Sequence, residues 1–276
     1  MQFFMRKCRK CFTALWALTL SFAFVACDAF DYHPYCVDIS GPTDINARNA
    51  QRIAQLTQGM TAFRFAFISD TQRWYDETED MVRDINRRTD LDFVIHGGDF
   101  TDFGINDEFL WQRDILEELN VPYVSVIGNH DCLATGKQSY QRIWGPLNWS
   151  FSAGDVHFVC LNTNALEFDY SMPVPDMDFI ESEIVNFPDS CSRSLIVAHS
   201  MPGDEQFNNN LSRYYHAMIK ALPGILCSIS GHVHAIKHED LFGDGFIYHS
   251  TTCAKDRQYL IFDISDNGYS YETVSF

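Results

Sequence analysis

Basic side chains are scarce in this sequence: 20 lysines and arginines stand against 37 aspartates and glutamates, a formal charge of −17. Duplex nucleic acid or an anionic lipid face is repelled by that balance unless a metal centre reverses it locally, so extended nucleic-acid binding is set aside as a function. Long apolar runs are missing too. Beyond residue 26 none approaches the ~20 residues that a membrane-spanning helix needs. Low-complexity tracts are absent. What is present, 46% hydrophobic and 14% aromatic residues in a chain of 276, can fill the core of one large domain or two small ones.

The few basic residues are unevenly placed. Arg6, Lys7, Arg9 and Lys10 precede an uncharged stretch over residues 11–26, the pattern of a secretory n-region and h-region. Residues 24–27, F-V-A-C, resemble a bacterial lipobox, in which Cys27 becomes the lipidated first residue of the mature chain. Phe24 replaces the aliphatic residue usual there. The expectation is an exported, periplasmic or cell-envelope protein attached to the membrane through an N-terminal lipid anchor. Ordinary secretion and an uncleaved anchor are the alternatives. Residues 1–26 are then a signal peptide, 27–62 a linker and N-terminal helix, and 63–276 the functional domain. Cleavage would remove those four basic residues and no acid, taking the charge from −17 to −21.

Cys8 and Cys11 form a C-x-x-C inside the targeting segment, where it reads as neither a redox motif nor half a zinc site. Apart from Cys27 the mature chain keeps Cys36, Cys132, Cys160, Cys191, Cys227 and Cys253. An oxidising compartment permits their pairing. Cys160 and Cys227 lie in apolar runs and read as small buried hydrophobes.

Thr43 and Asp44 offer caps for a helix over Ile45–Gln58, with Ile45, Ile53, Ala54 and Leu56 as its apolar face. From Phe63 a rhythm sets in. F-R-F-A-F-I-S predicts a buried strand followed by Asp70, Thr71 and Gln72. A helix over Glu77–Arg88 leads to a strand over Leu91–His96 and the turn G-G-D-F-T-D. A helix over Asp107–Leu119 leads to the strand Tyr123–Ile127 and the turn G-N-H-D. Strand, polar turn and helix recur at about 30 residues, the period of βαβ units. Later, Trp149–Phe151 and Val156–Leu161 predict a hairpin. A strand over Ser194–Val197 ends in A-H-S-M-P, one over Ile225–Ser230 ends in G-H-V-H, and Phe246–Ser250, Gln258–Asp263 and Ser270–Ser275 finish as strands. Parallel units first and mostly antiparallel strands later imply two packed sheets flanked by helices.

Every candidate functional residue therefore follows a strand: Asp70 and Gln72, Asp99 and Asp102, Asn129, His130 and Asp131, His199, His232 and His234. In open α/β sheets ligands bind at that end. The donors are carboxylates, imidazoles and amide oxygens, with no cysteine at any of these turns. Such a set suits Mn, Fe, Zn or Ni better than a zinc-thiolate site or a calcium cage. It is too large for one ion of four to six ligands. Two divalent transition-metal ions sharing a carboxylate would use it, and such pairs clamp the attacking and leaving oxygens of a displacement at phosphorus.

In order, D-T-Q, G-D-F-T-D, G-N-H-D, A-H-S-M-P and G-H-V-H resemble the signature blocks of the calcineurin-like metallophosphoesterases, over roughly Phe63–Phe276. The resemblance implies an α/β fold, a four-layer α/β/β/α sandwich with two mixed β-sheets. It also implies an enzyme hydrolysing phosphomonoester or phosphodiester bonds of a small phosphorylated substrate. Carried over, Asp70, Gln72, Asp99 and His234 would hold one ion, and Asp99, Asn129, His199 and His232 the other. A hydroxide between the ions would attack phosphorus. His130 would protonate the departing alkoxide, Asp131 would orient His130, and Asp102 would hold a ligand's orientation. Asn129, His130 and Arg257 are candidates to contact substrate, with Arg73 and Lys255 as further cations. Gln72 departs from the histidine most members carry. The alternative reading is therefore a catalytically inactive or single-metal surface-binding lipoprotein on the same scaffold. His96 and His157 are expected within the fold, His33, His216, His238 and His249 at the surface or behind the site, and Trp74, Trp144 and Trp149 in the core.

Overall fold

The computed structural model describes residues 36–169 and 172–276, so Cys27, Cys8, Cys11, His33 and the targeting segment lie outside the described residues. The fold described here is that of residues 37 onward. Eleven strands form two sheets. β1 (Phe63–Ile68), β2 (Phe93–His96) and β3 (Tyr123–Ser125) run parallel, and β10 (Gln258–Ser265) and β11 (Gly268–Ser275) extend that sheet antiparallel in the order β11-β10-β1-β2-β3. The second sheet has the order β4-β5-β6-β7-β9-β8, built from β4 (Trp149–Ala153), β5 (Val156–Leu161), β6 (Arg193–Ala198), β7 (Ile225–Ser230), β8 (Lys237–Glu239) and β9 (Tyr248–Ser250).

Strand alternation assigns the layers. Phe63, Phe65 and Phe67 of β1 point between the sheets, where they meet Phe93, Phe158 and Phe262. The Phe65 and Phe93 rings stack at 5.2 Å. Ala66 and Ile68 point the other way, onto α2 (Tyr75–Asn86), α3 (Asn106–Leu116) and α4 (Gly136–Ile143) through Met81, Phe109 and Ile143. Val159 and Ile196 of the second sheet pack on Ile180 of α5 (Met177–Val185) and Ile219 of α6 (Ser212–Lys220). The result is the expected α/β/β/α sandwich with two mixed sheets. The later strands are mixed. β4, β8, β10 and β11 pair antiparallel as expected. β5, β6, β7 and β9 run parallel, with α5 crossing over from β5 to β6 and α6 from β6 to β7.

The first helix, α1 (Ile45–Leu56), is corrected in detail. Asp44 precedes it with a left-handed backbone and makes no side-chain cap. Ala54 and Leu56 are exposed, while Asn46 and Asn49 are buried. These asparagines face β3, the open edge of the first sheet. Asn46 Nδ2 donates to Ser125 O at 3.0 Å, Asn46 Oδ1 accepts from Ser125 N at 2.9 Å, and Asn49 Nδ2 donates to Tyr123 O at 2.7 Å. Two carboxamides thus stand in for a missing neighbouring strand, which an edge otherwise leaves open to misplaced pairing. They hold in place the strand that delivers G-N-H-D.

Cys132, Cys160, Cys191, Cys227 and Cys253 are free thiols, and Cys160, Cys227 and Cys253 are buried. Trp144 and Trp149 are core residues, whereas Trp74 lies half-buried with its ring edge-on to His234 at 5.9 Å. Among the described residues no helix is long and apolar enough to cross a membrane.

Candidate metal centre

The carboxyl ends of β1, β2, β3, β6 and β7 meet at one edge of the sandwich. Four residues there, Asp70, Asp99, His232 and His234, hold left-handed backbones with φ of 54°, 59°, 69° and 46°. That region is unfavourable for residues with a Cβ, and it persists where the surroundings over-determine it. Close approach of the turns supplies the constraint. A Cβ on Gly128 would stand 2.1 Å from Asp99 Oδ1, and one on Gly231 would stand 2.5 Å from Asp70 Oδ2. The glycines of G-N-H-D and G-H-V-H are therefore needed for the turns to interlock.

Donor atoms of Asp70, Asp99 and His199 lie within 4.8 Å of one another, and all three residues are buried. His199 Nδ1 is 2.8 Å from Gly97 O, an acceptor, so it carries the proton and turns Nε2 inward. That Nε2 stands 3.4 Å from Asp99 Oδ2 and 3.0 Å from Asn129 Oδ1. Asn129 Oδ1 is also 3.0 Å from His232 Nδ1. His234 Nε2 lies 3.2 Å from Asp70 Oδ1. Gln72, only 2% exposed, has a side-chain oxygen with no hydrogen-bond partner. An orphaned buried acceptor is costly unless a cation or water meets it. Carboxylates, imidazole nitrogens and the Asn129 amide oxygen converging in this way fit divalent transition metals.

Electrostatics agree. Burial opposes a charge on His199, but the Asp99 carboxylate and its hydrogen bond push the imidazole up to about 9. Burial likewise opposes ionisation of Asp99, yet His199 holds its carboxyl below the usual range. The hydrogen bond that His234 donates to the Asp70 carboxylate, with Cys253 assisting, raises His234 to about 10. Protons occupy the positions that a cation would take, and metal binding would release them.

The structure changes the role expected for Asp131. Its carboxylate does not reach the His130 ring. It accepts the backbone N–H groups of Asp99 (2.9 Å), Phe100 (2.9 Å), Thr101 (3.0 Å) and Gly128 (2.9 Å), pinning one ligand turn to the next. His130 is oriented instead by Nδ1, which donates to the Asp102 carbonyl at 2.9 Å, while its backbone N–H donates to Asp99 Oδ1 at 2.9 Å. The Asp102 side chain pairs with Arg73. Arg257 is committed elsewhere, to Asp80 Oδ2 at 2.8 Å and to Phe276 O at 3.0 Å, and Lys255 is exposed. His96 is buried in the fold as expected, with Nδ1 accepting from Gly98 N–H and Nε2 donating to Thr71 Oγ1 at 3.0 Å. His157 pairs with Glu183, His216 with Asp244, and His238 with His249.

One residue was missed in the sequence. Glu205 Oε1 lies 3.6 Å from His232 Nε2, on the side of the ring away from Asn129. The only signal was an acid in the turn-rich loop after His199, which marks nothing by itself.

Residues 63–235 match the family model of the calcineurin-like phosphoesterases. The chain belongs to that family, whose members are hydrolases acting on phosphoester bonds. A 3′,5′-cyclic-nucleotide phosphodiesterase of Nostoc sp. (strain PCC 7120) is 24% identical over 155 residues, 53% of this chain and 57% of that protein. The chain thus aligns with little more than half the length of that relative. Among solved structures, a dimetal phosphatase from Danio rerio superposes with a TM-score of 0.59 at 14% identity, covering 78% of this chain and 99% of that one. GAP50 of Plasmodium, described as an anchor in the inner membrane complex, superposes with a TM-score of 0.59 at 15% identity, covering 78% and 85%. These likenesses concern the fold.

Proposed function

We propose that the protein is an exported, lipid-anchored phosphoesterase that hydrolyses phosphomonoesters or phosphodiesters of small molecules with two divalent metal ions. The observation that carries the reading is the buried Asp70–Asp99–His199 cluster, whose donor atoms lie within 4.8 Å of one another at the end of the strands. The backbone N–H of Gln72 donates to Asp99 O at 3.1 Å, which places that residue's turn beside the cluster. Asp70, Gln72, Asp99 and His234 would hold one ion, and Asp99, Asn129, His199 and His232 the other, of Mn, Fe, Zn or Ni type. When bound, the ions would supply a hydroxide nucleophile near neutral pH and neutralise charge on the phosphoryl oxygens.

The chain's own residues do the rest. His199, whose Nδ1–H donates to Gly97 O, aims Nε2 at the site, where a bound ion would displace the proton it carries. His130, with Nδ1 committed to Asp102 O, offers Nε2 to deliver a proton to the departing alkoxide. Asp131 fixes the backbone on which Asp99 and His130 stand. Export and anchoring rest on residues 1–27 and their lipobox-like end.

Turnover of p-nitrophenyl phosphate and its bis-ester, measured beside metal content, tests the proposal. Two equivalents of metal with activity abolished in Asp99→Asn and His130→Ala support it. A metal-poor protein without turnover contradicts it and favours the surface-binding scaffold. Membrane partitioning that is lost in Cys27→Ser tests the anchor.

A further inference from the structure

The turn that follows Gln72 carries a cation. Arg73 has a left-handed backbone, with φ of 50°, which a residue with a Cβ keeps only where its surroundings hold it. Trp74 N–H, 2.6 Å from Gln72 O, closes the turn around it. The Arg73 side chain then runs between two parts of the metal centre. On one side Nε donates to Asp102 Oδ1 at 3.0 Å, and Nη2 donates to the same oxygen. Asp102 is the residue whose carbonyl holds the His130 ring. On the other side Cζ sits 5.5 Å from the Trp74 ring centroid, and that ring stands edge-on to His234 at 5.9 Å. The guanidinium is thus flanked by neighbours of the proton donor and of a candidate metal ligand.

We propose that Arg73 binds the phosphoryl group of the substrate, exchanging the Asp102 carboxylate for non-bridging phosphoryl oxygens, and that it selects phosphomonoesters over phosphodiesters. The inference rests on the hydrolytic reading above and narrows its substrate class. The Arg73 side chain is 55% exposed, and an ion pair so open to water is held weakly, so its partner can be exchanged. A guanidinium's fork of parallel N–H groups matches phosphate as well as carboxylate. Its charge discriminates between esters. A phosphomonoester carries about two negative charges near neutral pH and a diester carries one, so the monoester gains more from a further cation. Arg257, by contrast, is committed to Asp80 and to the Phe276 carbonyl.

The test measures kcat/KM of the metal-loaded full chain on p-nitrophenyl phosphate and on its bis-ester, and titrates the same protein calorimetrically with inorganic phosphate. Arg73→Gln, which keeps a polar side chain and removes the charge, is expected to lower the monoester-to-diester ratio of efficiencies about tenfold, with metal content unchanged. An unchanged ratio overturns the proposal and leaves the phosphoesterase standing, as does a ratio that falls only with lost metal. The phosphate titration reads the exchange. Asp102→Asn should tighten phosphate binding when Arg73 is present but not in the Arg73→Gln chain, because only a freed guanidinium can profit. Equal tightening in both backgrounds would reflect a general loss of negative charge and overturn the exchange. If neither ester is hydrolysed, the titration decides alone: the non-additive gain supports the contact, and no phosphate binding by the unmodified chain overturns it.

Discussion

Asp131 accepts the backbone N–H of Asp99 at 2.9 Å, joining the G-G-D turn to the G-N-H-D turn through a carboxylate that also accepts from Phe100, Thr101 and Gly128. Burial, reinforced by the nearby Asp99 charge, pushes that carboxyl up to about 7, and the surrounding backbone N–H groups pull it back. Asp131→Asn and His130→Ala should therefore fail differently. Hydrogen bonds to a charged group contribute ~1.5–3 kcal/mol each. Asp131→Asn, which replaces one acceptor oxygen by a donor, is expected to lower the melting temperature and the metal content together. His130→Ala is expected to keep both while turnover falls by ~10²–10⁴. Melting curves with metal analysis check this, and an Asp131→Asn protein of normal stability and metal content would return Asp131 to a purely catalytic role.

Gln72 gives a second contrast. Gln72→Leu keeps much of the volume and removes the oxygen, so bound metal should fall from two equivalents towards one. Gln72→His should raise affinity for that ion, since imidazole is the better donor. Calorimetric titration with Mn²⁺ and Zn²⁺ reads both changes. Identical binding in all three proteins would remove Gln72 from the ligand set.

Glu205 meets the ring nitrogen of His232 opposite the one facing Asn129, at 3.6 Å. A carboxylate in that position fixes the tautomer and raises the basicity of a ligating histidine. Because Glu205 is well exposed, with 80% of its side chain accessible, the effect should be at the lower end. Glu205→Gln is expected to weaken one of the two binding steps roughly tenfold. Unaltered titration curves would make Glu205 a bystander.

Stability should fall in mild acid for reasons separate from the metal ligands. Burial lowers His96 to about 3, and burial with His238 beside it lowers His249 to about 3. Both folded values lie below the ordinary ~6.5. The unfolded chain then binds protons that the folded chain refuses, so stability is full above about pH 6.5 and is lost progressively as the pH falls towards 3. Urea unfolding between those limits should show a shallower pH slope in His96→Gln, whatever that variant's absolute stability. An equal slope would show that His96 takes up its proton without cost.

The sequence revealed the centre more completely than the frame around it. Asp70, Asp99, Asn129, His199 and His232 follow strands whose apolar, β-branched composition ends abruptly at a polar turn, and a strand end is a local signal. The buried face of α1 was misread because the helix packs on a strand edge, where Asn46 and Asn49 are wanted and Ala54 and Leu56 are left outside. The parallel run of β5, β6 and β7 was not legible, because direction there depends on the crossovers made by α5 and α6, which residue patterning does not encode. β8, Lys237–Glu239, has no apolar alternation to announce it. The partner of His130 was misassigned because neighbours in sequence, Asp131 included, can turn to opposite sides of a tight turn.

The central claim is that two cations share the Asp99 carboxylate. Anomalous scattering from crystals grown with Mn²⁺ tests it most directly. Two peaks flanking Asp99, one beside Gln72 and His234 and the other beside Asn129, His199 and His232, are the predicted result. A single peak, or peaks away from Asp99, would contradict it.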